Sequence, residues 1–149
     1  MTWQTLLANG RIKRHRTSLQ EISDLRAVVE RDLKDARVEM ISADRRFATA
    51  YNAVLQLAKI VIACSGYRVS GLGHHQVTFE ALELAIGPKI SNRVMYFDTC
   101  RRKRNQVDYD FALVASDTEL EELLSNAEQF RIIVEEWIST HHPAYANRP

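Results

Sequence analysis

SDTELEELLSNAEQFRIIVEEWI, residues 116–138, decides the fold class. Leu120, Leu123, Ala127, Phe130, Val134 and Trp137 recur at alternating three- and four-residue steps. That is the spacing of a helix face buried in the seam of a bundle. Ser116 with Glu119 makes a capping-box pattern that opens this helix, because each side chain satisfies a free backbone N–H of the other residue. Pro143 marks its end.

The same period recurs upstream. Ser18 with Glu21 predicts another capping box and a helix over about 19–40, with Ile22, Leu25, Val29, Leu33 and Ala36 on one face. Ser42 caps a helix over roughly 43–65, whose stripe Phe47, Tyr51, Val54, Ala58, Val61 and Ile62 is strongly apolar. A short helix over about 75–86 turns Val77, Leu82 (or Ala81) and Ala85 inward and stops at Gly87-Pro88. A further helix spans about 90–112. Glycine and proline are scarce, with 5 and 3 copies, and they fall between these segments. Gly66, Gly71 and Gly73 make 66–74 the longest loop, and no alternating β-branched run predicts a strand. The expected fold is all-α, a five-helix bundle with an up-and-down core. A single domain spans 1–149, with 1–17 as a lead and 143–149 as a tail.

The 149 residues suit one domain, and 46% apolar with 26% charged residues excludes a disordered chain. The net charge of +1 gives no global attraction to nucleic acid or membrane. Charge is nonetheless uneven, since residues 1–75 carry 12 Lys and Arg against 7 Asp and Glu, and residues 76–149 carry 8 against 12. Cys64 and Cys100 lie inside apolar segments, where reduced cysteine acts as a small hydrophobe. No CxxC or HxxxH spacing predicts a metal site, and no cofactor motif occurs; Gly71-Leu72-Gly73 lacks the strand and the Lys-Ser/Thr of a phosphate loop. Residues 1–10 lack a secretory signal, and no unbroken run of about 18 apolar residues predicts a membrane span. The expected compartment is the cytoplasm.

The helix over 90–112 carries the functional clue. Its apolar stripe reads Phe97, Cys100, Arg104, Val107, Phe111, so Arg104 sets a permanent charge on a packed face. One reading pairs Arg104 with Asp108, four residues on, as a structural ion pair. The other starts from Arg101-Arg102-Lys103-Arg104. Arg101 and Arg104 share an edge while Arg102 points away. Two such edges meeting across a dimer axis would form a positive groove suited to phosphate, to which the basic lead Arg11 to Arg16 could add.

Arg104-Asn105-Gln106-Val107-Asp108-Tyr109-Asp110 resembles the signature of the HEPN superfamily, prokaryotic helical domains of toxin–antitoxin and defence modules. The likeness is to a subgroup whose motif ends in Asp-Tyr-Asp. Phe47-Ala48-Thr49-Ala50-Tyr51-Asn52-Ala53, then Ala58-Lys59 and Gly66-Tyr67, is similar to the second helix of that subgroup. His74-His75-Gln76-Val77 matches the place of a histidine before its short third helix. The resemblance covers about residues 20–140.

It implies a homodimer whose site is Arg101, Arg104, Asn105, Asp108, Tyr109 and His74. It also implies RNA or nucleotide as ligand, or a nucleotidyltransferase or toxin–antitoxin protein as partner. Many members are metal-independent ribonucleases using an arginine, a polar neighbour and a histidine. Arg104 and Asn105 match the first two, but the histidine position falls on Tyr109. Cleavage of RNA without metal needs a base and an acid that work near neutral pH, and a phenol is a poor base there. Catalytic candidates are therefore Arg104, Asn105 and Tyr109, with no complete set. Three functions remain open: a binding module, a ribonuclease with displaced catalytic groups, and a structural or regulatory bundle. No sequence signal brings His74 or His75 to Arg104. His15 belongs to the basic lead, and His141 and His142 suit the dipole at a helix end.

Overall fold

A computed structural model describes residues 1–71, 74–108 and 114–147, with the side chains of Val107 and Asp108 excluded. The fold is an all-α bundle. Its elements are α1 (Trp3–Ala8), β1 (Ile12–Arg14), α2 (Leu19–Asp35), α3 (Ala43–Cys64), β2 (Tyr67–Val69), α4 (His74–Ile86), α5 (Ser91–Asp108) and α6 (Asp117–His141). Helix α3 is the hub, packing against α2, α4, α5 and α6. Every residue of its expected stripe is buried. Although no unbroken apolar run occurs, α3 is long and apolar enough by length and composition to cross a membrane. Yet 72% of that window is buried inside the fold, so the core uses its apolarity.

The caps explain most boundaries. Ser116 and Glu119 form the full reciprocal capping box. Ser18 and Ser42 each accept from the backbone N–H three residues on, at 3.1 and 3.2 Å. The box expected at Ser18 is only half formed, because the Glu21 carboxylate accepts instead from Thr17 Oγ1 and His15 Nε2, both at 2.7 Å. Helix α2 ends at Asp35, five residues before the expected position. Arg37 donates to the Leu33 carbonyl and Arg46 to that of Ala36, satisfying the end of the helix with guanidinium groups.

Six α-helices stand among the described residues where five were expected, because the lead is structured. It supplies α1 and β1, and β1 pairs antiparallel with β2, Ile12 opposite Val69 and Arg14 opposite Tyr67. This pair occupies part of the stretch expected to be loop. Leu6 and Ile12 join Ile62, Val77 and Ala81 in a second small core. Trp3 stacks on Tyr67 with centroids 4.6 Å apart. Cys64 and Cys100 are buried thiols, each pushed up to about 11 by burial, and so inert near neutral pH.

Candidate functional site

Tyr51 sits on the buried stripe of α3, its side chain 1% exposed. A buried phenol needs a partner for its hydroxyl. It finds one in His75 Nδ1 at 3.1 Å, on the first turn of α4. The same ring receives Arg104 from α5, with the guanidinium carbon 5.9 Å from the centroid, a cation–π arrangement. Phe79 of α4 meets the ring edge-on at 6.3 Å. Tyr51 is thus a platform joining three helices, with a cation on its ring and an imidazole on its hydroxyl.

The charges form one neighbourhood. Burial raises the Tyr51 phenol above its ordinary value, while Arg101 and Arg104 pull it part of the way back, so it stays protonated. Burial also holds the His75 imidazole below its ordinary 6.5, helped by Arg104, Arg101, Lys59 and His74. A protonated phenol and a neutral imidazole share one hydrogen bond here, the Tyr51 hydroxyl with Nδ1, and the ring tautomer decides which of the two donates.

A pH dependence follows. Because the folded value of His75 is depressed, the unfolded chain binds the proton first as pH falls. The stabilisation is complete above about 6.5 and is lost as pH drops through the folded value. Wild type is expected to lose more stability between pH 7.5 and 5 than His75→Gln does, read as urea midpoints. Equal losses would refute the burial of a neutral imidazole.

The run of cations on α5 is not a bare patch. Arg101 bonds Asp98 at 2.9 Å, and Arg102 reaches the same carboxylate at 3.4 Å. Lys103 pairs with Glu119 at 2.7 Å and donates to the Val114 carbonyl at 3.1 Å. Arg101, Lys103 and Arg104 are half-buried and Arg102 is exposed. Asn105 is half-buried and His74 exposed. The Asp108 side chain and Tyr109 lie outside the described residues, and with them the proposed Arg104–Asp108 pair. Among the described residues no group of three His, Cys, Asp or Glu converges as a metal site.

No protein-family model, curated protein or solved structure matches the chain. The site is therefore read from its own chemistry. Its unexpected members are Tyr51, read in sequence as part of the apolar stripe and of the second-helix resemblance but not as a site residue, and His75, which no signal had tied to Arg104. One signal was present. Tyr51 and Arg104 each put a polar group on the apolar stripe of its own helix, and where the stripes face, the guanidinium lies over the Tyr51 ring while the hydroxyl bonds His75.

Proposed function

We propose that this chain is a HEPN-like, dimeric, cytoplasmic binding protein of a toxin–antitoxin or nucleotidyltransferase-associated module. Its ligand is RNA or a nucleotide, held by phosphate oxygens at the Arg101 and Arg104 edge. The observation that supports the reading is the Arg104–Tyr51–His75 cluster. A guanidinium braced on an aromatic face beside an imidazole joins two groups suited to phosphate oxygens. A homodimer would double this edge across its axis.

The second reading, a metal-independent ribonuclease with atypical catalytic residues, gains from His75, an imidazole that shares Tyr51 with Arg104 in a chain whose motif has tyrosine for histidine. Tyr51 holds that imidazole through Nδ1 at 3.1 Å and leaves Nε2 for a ligand, where the ring tautomer decides between a donor to phosphate and a base for the 2′-hydroxyl.

Fluorescence anisotropy with a labelled single-stranded oligoribonucleotide and a labelled nucleoside triphosphate, at low salt, tests the first reading. Saturable binding that weakens with salt is expected, and absence of binding to both probes overturns it. RNA cleavage in EDTA by wild type against Arg104→Ala tests the second, which fails if the two show equal background.

A further inference from the structure

A cavity of about 370 Å3 opens between α2, α3, α4 and the β1–β2 pair. That volume lies in the range of small-molecule sites. Its walls are sharply divided in chemistry. Leu25, Leu55, Ile62 and Val69 supply an apolar lining. Lys59, Arg68, His15, His74 and His75 supply nitrogen donors, and Glu21 is the one acid among the lining residues. That acid is already engaged by Thr17 and His15, which hold its carboxyl below the usual range.

The cations have no such compensation. Among the described residues no carboxylate lies within ion-pair distance of Lys59 or Arg68, and the His74 imidazole has no hydrogen-bond partner there. Lys13 stands directly opposite Arg68 in the strand register, and like charges opposed across a strand pair destabilise it. An anion at Arg68 would relieve that repulsion. The basic lead, expected to add to the α5 groove, thus closes one wall of this cavity through His15, beside β1.

The geometry points to a binding site for a small organic anion, one carboxylate or phosphate on an apolar body, seated with its charge between Lys59 and Arg68 and its body on Leu25, Leu55 and Ile62. The site shares His75 with the Arg104 cluster but uses different cations, and it does not rest on the RNA-binding reading.

Titration of the intact chain with phenyl phosphate, benzoate, benzamide and inorganic phosphate, followed by NMR shifts of the amide groups of Lys59, Arg68 and His74, tests it. Phenyl phosphate or benzoate is expected to saturate these shifts. Benzamide, lacking charge, and inorganic phosphate, lacking the apolar body, should bind at least about tenfold more weakly. The comparison of phenyl phosphate with benzoate identifies the acid group. Lys59→Gln with Arg68→Gln, both exposed and so harmless to folding by circular dichroism, should weaken binding by about tenfold or more. Arg104→Ala should retain it, which separates this site from the RNA groove. No saturable shift, equal binding of benzamide, or indifference to the Lys59/Arg68 double variant overturns the assignment.

Discussion

Phe97→Ala is expected to cost about 3–5 kcal/mol of folding stability, the range for emptying a fully buried aromatic site. Phe97 of α5 is fully buried, with ring centroids of Phe130 at 5.1 Å, Tyr96 at 5.7 Å and Phe79 at 6.2 Å. Its ring thereby joins α5 to α4 and α6. Against a total stability of about 5–15 kcal/mol, the variant would be marginal. The candidate cluster would suffer too, since Phe79 packs against Tyr51. A shift of the urea midpoint measures the effect, and a loss under about 1 kcal/mol would contradict the packing described.

Arg104→Ala is expected to weaken oligoribonucleotide or nucleotide binding by about 10- to 100-fold, because charge-assisted hydrogen bonds contribute about 1.5–3 kcal/mol each. The guanidinium loses its position over Tyr51 at the same time, so some stability falls with it, on the order of 1 kcal/mol for a cation–π contact. Arg104→Lys separates the two effects. It keeps the charge but not the planar fork, and affinity should fall between wild type and alanine. Affinity in Arg104→Ala equal to that of wild type, in a folded variant, would remove Arg104 from the site.

The long elements were readable because their apolar residues repeat many times. Helices α3 and α6 show their stripes over 22 and 25 residues, and the Ser116–Glu119 box needs only four positions. The lead was not readable, since α1 has six residues and β1 three, too few for either period to show. Burial of Leu6 and Ile12 depends on Ile62 and Val77, distant partners that no local pattern announces. Glu21 departs from its pattern for a different reason. The capping spacing is genuine, but His15 and Thr17 compete for the same carboxylate. For the candidate site, periodicity marked Arg104 as an anomaly on its own helix. It could not give the register between α3, α4 and α5, which is what brings Tyr51 and His75 to it.

The proposed phosphate-binding edge is tested most directly by salt linkage. Oligoribonucleotide affinity would be measured from low to moderate salt for wild type and for the Arg101→Gln/Arg104→Gln variant. Each phosphate neutralised on a single strand releases counterions worth a slope of about 0.7 in log affinity against log salt. The double variant is expected to bind more weakly, with a slope shallower by about 0.7 for each phosphate it no longer neutralises. Equal affinity and equal slope for the two proteins would contradict it.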